Sequence, residues 1–324
     1  MAKVAAGFLL ALAPIRADTV TRSEVAPIVA LQAEPFPLQN VRLLAGPFRH
    51  AMELDRTYLL SLEPDRLLHS FRLNAGLPSV AKPYGGWMTP GCVSCAEFVG
   101  HYLSACALMY ASTGDQRLRE RAKHVVAGLG QCQDKLVTGY LHTKPDHFTT
   151  RGEAPLGLWY QIHKLLAGLL DVETYCANPQ ALEMARKLGD WAKVGSDKLS
   201  DEQMQRMLDV EPGGINEALA NLYALTGEKK YLELALRFNH MQVIGPASQR
   251  TDNLTGKHAN TQIPKFIGAA REYELTGQEW LKAASTFFWE TVVHERSCVI
   301  GGNSIGEFFS PTVFTFTRAQ EPSS

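Results

Sequence analysis

Asn216-Glu217-Ala218-Leu219-Ala220-Asn221-Leu222-Tyr223-Ala224-Leu225-Thr226-Gly227, followed by Lys230 to Phe238, is a complete structural unit written in one line. Leu219, Leu222, Tyr223 and Leu225 recur at helical spacing, Thr226-Gly227 is a turn, and the residues after it form a second amphipathic stretch. The unit is an αα hairpin. Three other segments repeat the scheme. His101 to Tyr110 turns at Thr113-Gly114-Asp115 and continues from Leu118 to Leu129. His163 to Tyr175 turns at Asn178-Pro179 and continues from Ala181 to Trp191. Asn260 to Tyr273 turns at Thr276-Gly277 and continues from Trp280 to Val293. An earlier helix, Phe48 to Leu62, belongs to a preceding hairpin. One hairpin cannot bury its apolar face alone, so a period of roughly 50 to 60 residues implies stacked repeats, as an open solenoid or a closed α/α toroid.

Composition agrees with a large folded unit. The chain has 324 residues, 45% hydrophobic and 20% charged, enough to bury a sizeable core, and a formal net charge of -1. Mixed charge of that size gives no electrostatic footprint for nucleic acid or an anionic membrane. The expected partner is small and neutral. Met1-Ala2-Lys3, the apolar run Val4 to Ile15 and Arg16-Ala17-Asp18 read as a secretory signal peptide over residues 1–17, which implies a secreted or periplasmic protein; a frayed helix and a cytoplasmic location are the alternative. The run is too short to span a bilayer. Residues 18–36 read as a linker and 37–310 as the folded domain, with an irregular tail over 311–324. Six irregularly spaced cysteines make no disulfide scaffold. Cys92-Val93-Ser94-Cys95 has redox or zinc spacing without a second Cys or His pair, so structural use, or a local disulfide in an exported chain, is the plainer reading.

The connections between hairpins favour the toroid. Tyr84-Gly85-Gly86-Trp87, Gly139-Tyr140-Leu141-His142, Leu158 to His163, Pro212-Gly213-Gly214-Ile215-Asn216-Glu217, Gly256-Lys257-His258-Ala259-Asn260 and Gly301 to Phe309 all enter the first helix of a hairpin. They are expected to gather at one mouth. Trp, Tyr, His, Asn and Glu gathered there suit a sugar, whose apolar face takes an aromatic ring while polar tips take its hydroxyls. Each residue also has a plainer role. Trp159 and Tyr160 head an apolar helix and can pack there; His101 and His163 can satisfy buried backbone groups; Asn216 can cap a helix. His258, beside a glycine, is a ligand candidate. Glu307 lies in a glycine-rich apolar turn, where a carboxyl can be raised enough to act as a general acid, or where it can stay a solvated loop carboxylate.

Gly100-His101-Tyr102-Leu103-Ser104-Ala105, Trp159 to Lys164, Gly213 to Leu219, Lys257 to Gln262, and Gly301-Gly302-Asn303-Ser304 with Glu307 occur in that order. Together they resemble the β-L-arabinofuranosidase family, glycoside hydrolase family 127 and close relatives, from about Phe36 to about Ser310. The resemblance implies the N-terminal part of an all-α, six-hairpin α/α barrel followed by β-sandwich domains, and retaining removal of terminal L-arabinofuranose from plant-type glycans. It matches Glu307 to the general acid/base and His258 to a histidine of the sugar subsite. Trp159, His163, Asn216 and Glu217 fall in motifs at the same mouth, as substrate contacts.

The family resemblance also implies zinc, which holds a cysteine nucleophile with further Cys and Glu ligands. Here Glu321 stands near one expected ligand position, Ser323 stands where a Cys is needed, and none of the six cysteines matches the nucleophile. No metal site is assigned in this chain. The departure leads us to expect an incomplete toroid, lacking its last hairpins and the β-sandwich domains, that carries the acid/base half alone and associates with itself through exposed barrel faces. Two alternatives stand beside this reading: another α/α-toroid carbohydrate enzyme of the epimerase or uronyl hydrolase type, and a noncatalytic helical-repeat binding module.

Overall fold

The computed structural model describes residues 23–92, 94–151 and 154–311. The signal-peptide reading and residues 312–324 of the tail lie outside them. Thirteen helices follow one another among the described residues: α1 (Pro47–Ser61), α2 (Pro64–Asn74), α3 (Cys95–Thr113), α4 (Gln116–Leu136), α5 (Phe148–Arg151), α6 (Leu158–Cys176), α7 (Pro179–Ser196), α8 (Asp201–Leu208), α9 (Ile215–Thr226), α10 (Lys229–Arg237), α11 (Met241–Ser248), α12 (Ala259–Thr276) and α13 (Glu279–Glu295). No strand is present among them, and no helix is long and apolar enough to cross a membrane.

Every hairpin expected from the sequence is present. The first helices of three of them stop at Gly114, Gly227 and Gly277, with φ of 73°, 69° and 67°, and each glycine N–H donates back to Tyr110, Tyr223 or Tyr273. Glycine takes this left-handed conformation without a Cβ penalty, so the chain reverses at once. In the second hairpin Ala177 carries the reversal at φ 52°, and Asn178 accepts from Gln180 N and Ala181 N as the cap of α7. The expectation of an asparagine turn is thus met one residue on: Asn178 starts the next helix.

The helices lie in two layers. Successive first helices α3, α6, α9 and α12 are neighbours, and α4, α7, α10 and α13 each pack on the first helix of their own hairpin. The most extensive contact is α3 with α6, because glycines allow it: a Cβ at Gly100 would run into the Lys164 carbonyl, and one at Gly168 would lie 2.5 Å from the Gly100 carbonyl. Most buried apolar side chains form one core, from Leu62 to Phe238 with Leu275 of α12, and a second core joins α11, α12 and α13 to Phe309.

Residues 25–29, within the segment read as a linker, pair with the ends of two helices. Val25 N donates to Ala224 O, and Ile28 N and Val29 N donate to Glu274 O. These carbonyls lie in the last turns of α9 and α12, where helices leave acceptors unpaired. The segment therefore caps α9 and α12 at their hairpin-turn ends. The long connections, with α5, α8 and α11, occupy the opposite end.

Candidate active site at the mouth of the helical arc

Glu307 sits on a two-residue turn. Gly306 and Glu307 have φ of 54° and 71°, Ile305 N donates to Phe308 O at 2.9 Å, and Phe308 N donates back at 3.1 Å. The turn is docked on the start of α12: Phe309 N donates to Lys257 O, Gly256 N to Phe309 O, and Ala259 N to Glu307 O at 2.8 Å. Ala259 is the first residue of α12, so the Glu307 carbonyl takes up an N–H that the helix cannot satisfy itself. Phe309 is buried and anchors the turn from below. The backbone is fixed, whereas the carboxylate is 79% exposed. The sequence left Glu307 open between a desolvated acid and a solvated loop carboxylate; the structure gives a pinned turn that presents the carboxylate to solvent.

His258 connects that acid to the rest of the mouth. Its Nε2 lies 3.1 Å from Glu307 Oε2, and its Nδ1 lies 2.8 Å from Thr261 Oγ1 and 3.7 Å from Glu211 Oε1. The Phe308 ring meets the imidazole edge-on at 5.4 Å. A neutral ring can donate to Glu307 from Nε2 while the Thr261 hydroxyl donates to Nδ1, and an imidazolium can donate from both nitrogens, to Glu307 on one side and towards Glu211 on the other.

The neighbouring wall comes from first helices. Glu97 and His101 lie one turn apart on α3, as do Tyr160 and Lys164 on α6 and Glu217 and Asn221 on α9. Burial raises the Glu97 carboxyl, opposed by hydrogen bonding to Ser94 and the charge of Lys164. Burial also raises Glu217, again opposed by Lys164, and lowers Lys164 itself. His101 keeps an exposed edge, yet the wall desolvates it and, with Lys164, holds it below the usual imidazole range. The Tyr160 hydroxyl is raised by burial, against a hydrogen bond with Asn260. The buried Glu97 with the half-buried Glu217, Lys164 and Tyr160 makes a wall of donors and acceptors suited to a polyhydroxylated ligand.

The family model described as β-L-arabinofuranosidase, GH127 catalytic domain, matches residues 40–321. The chain belongs to this family. Among solved structures it is similar to a GH127 β-L-arabinofuranosidase from Geobacillus stearothermophilus T6, at 20% identity over 83% of this chain and 48% of that one, with a TM-score of 0.61. A GH127 β-arabinofuranosidase is similar at 18% identity over 86% of this chain and 47% of the other, with a TM-score of 0.64. Both likenesses show the fold, and the chain spans about half the length of each relative. No curated protein matches.

Within this GH127 domain, the six residues singled out from sequence divide in two. His258 and Glu307 meet at the mouth, and Glu217 is half-buried in the charged wall facing Lys164. The other three are corrected. Trp159 is 1% exposed, packed edge-on against Phe148 and Phe238 and tilted against Trp191, with Nε1–H on Met207 Sδ, so neither ring face is free for a sugar. His163 is buried and accepts from Gly214 N at its Nδ1; burial holds it well below the usual imidazole value, a neutral acceptor locking the glycine pair. A Cβ at Gly213 would lie 2.8 Å from Tyr160 Cδ2, which is why this approach needs glycine. Asn216 is buried and donates to Asn239 Oδ1 and Lys265 O, tying α9 to α12; it is no helix cap, since Gly214 holds that position.

Sequence reasoning passed over Glu97, Lys164 and Glu211. Glu97 and Lys164 could have been found as charges interrupting apolar helical runs one turn from His101 and Tyr160. Glu211 carries no such signal, because its importance lies in backbone conformation. Among the described residues no group of three or more His, Cys, Asp and Glu side chains could hold a metal ion. The zinc implied by the family resemblance does not fit the described residues. Cys92 and Cys95 are free thiols, with Cys95 buried against Ser70.

Proposed function

We propose that this domain acts on carbohydrate as a β-L-arabinofuranosidase-type glycoside hydrolase, removing terminal L-arabinofuranose with retention, and that Glu307 is its general acid/base. The observation that carries the reading is the 3.1 Å contact between His258 Nε2 and Glu307 Oε2, which joins two family motifs 49 residues apart at an open mouth. In the retaining cycle Glu307 gives its proton to the departing glycosidic oxygen as a nucleophile bonds to the anomeric carbon, then takes a proton from the water that displaces that nucleophile and releases the sugar. His258 donates to the carboxylate left after the first transfer. The nucleophile is not assigned among the described residues.

The charge of the mouth favours a neutral sugar over a uronate. Glu97, Glu211, Glu217 and Glu307 stand against Lys164, so a carboxylate substrate would meet like charge. The test is release of sugar by the full chain from an aryl β-L-arabinofuranoside and an unsaturated uronide. We expect release from the furanoside alone, lowered about 100-fold or more in Glu307→Gln, as loss of a general acid requires. Activity confined to the uronide, no release from the furanoside, or release indifferent to Glu307→Gln would contradict the reading.

A further inference from the structure

Glu211 and Glu307 share two features: both are non-glycine residues with positive φ, at 37° and 71°, and both direct a carboxylate at His258. Of the other non-glycine residues in this conformation, Val137 and Ala177 end helices α4 and α6, where a left-handed residue is ordinary, and Arg250 lies just past α11. Glu211 ends no helix. It also precedes Pro212, and a residue before proline is pushed towards extended backbone, so a left-handed Glu there is disfavoured twice. Strain of this kind persists where the surroundings hold it, most often at functional sites.

The geometry points to Glu211 as a positioning residue of the active centre, whose carboxylate faces the Nδ1–H side of the imidazolium form of His258 and so keeps Nε2–H aimed at the Glu307 carboxylate. The inference rests on the reading of Glu307 as the acid/base. When Glu307 passes its proton to the leaving oxygen it gains a negative charge, and the Nε2–H donor is already aligned with it. No proton leaves the ring. Thr261 Oγ1 shares the Nδ1 side at 2.8 Å. Lys257 adjoins the histidine in sequence, Tyr160 and Glu97 feel the Glu211 charge, and Phe308 closes the ring's edge. Glu211 is thus the anion that faces His258 from the α8–α9 connection, as Glu307 is from the segment after α13.

The test uses the full chain with Glu211→Gln, Glu211→Gly and Glu211→Asp, and Glu183→Gln on exposed α7 surface as control. The readouts are the ring nitrogen-15 shifts of His258, assigned through His258→Gln, and the melting temperature. Glu211 is 46% exposed on its side chain, so these variants are expected to fold. We expect both His258 ring nitrogens to move in Glu211→Gln and Glu211→Gly, to return towards the wild-type shifts in Glu211→Asp, and to stay in place in Glu183→Gln. Glu211→Gly is expected to melt higher than wild type, because glycine relieves the left-handed strain. Unmoved His258 shifts in Glu211→Gln and Glu211→Gly would overturn the inference, as would a lower melting temperature for Glu211→Gly. If the chain releases no arabinose, the proposed function fails on its own assay while the His258 shifts still decide the role of Glu211.

Discussion

At the scale of single residues, buried polar side chains act as joints. Trp159 closes an aromatic cluster, so Trp159→Ala is expected to lose about 3–5 kcal/mol of stability through the cavity it leaves. A chemical denaturation midpoint unchanged by that substitution would contradict its placement. Glu272 gives a pH test. It is fully buried, and burial pushes its carboxyl up from 4.5 to about 8, against one hydrogen bond from Asn239 at 2.7 Å.

Between those values the folded chain keeps a proton that the unfolded chain has lost. The group's contribution is therefore full below pH 4.5 and is lost as pH rises to about 8. At about 1.4 kcal/mol per pKa unit, the swing is on the order of a few kcal/mol. Two buried bases slope the other way. Burial brings Lys265 down to about 7 and His240 to about 4, so their penalties ease as pH rises from about 7 to 10.5 and from about 4 to 6.5. Comparison with Glu272→Gln isolates the acid: the stability of wild type minus that of the variant should fall between pH 5 and pH 8. A difference independent of pH would contradict the assignment.

At the scale of elements, the hairpins were legible because periodicity and left-handed glycines are local properties. Leu219, Leu222, Tyr223 and Leu225 mark a helical face, and Gly114, Gly227 and Gly277 mark its end, with no knowledge of neighbours. The site was legible only in part. His258 and Glu307 were found as polar residues in glycine-rich connections, but the same pattern also selected Trp159, His163 and Asn216, whose burial is decided by what packs over them. Glu211 escaped because a strained φ leaves no mark in composition. The motif glycine Gly100 shows how a motif can carry packing instead of chemistry. Gly100→Ala is expected to force α3 from α6 and to cost about 1–3 kcal/mol, the range for overpacking. A variant as stable as wild type would show that this contact is looser than described.

At the scale of the whole molecule, the arc leaves apolar flanks at both terminal hairpins. On α1, Phe48, Leu54 and Tyr58 are 79%, 58% and 56% exposed, and Trp289 on α13 is 65% exposed with Val299 and Ile300 nearby in the chain at 95% and 94%. Apolar surface gathered in this way favours association. The chain is expected to elute from sizing chromatography as an oligomer or as a concentration-dependent mixture; a sharp monomer peak at all concentrations would contradict this.

The mouth lies at the other end of the helices from the segment 25–29 that caps α9 and α12, and its chemistry depends on His258 and Glu307 being held together there. The most direct measurement is calorimetric titration of the full chain and of His258→Ala with methyl β-L-arabinofuranoside and with galacturonate. Saturable binding of the furanoside by wild type, lost in His258→Ala, with none of the uronate, is the predicted result. Binding of the uronate, or furanoside binding untouched by His258→Ala, would contradict it.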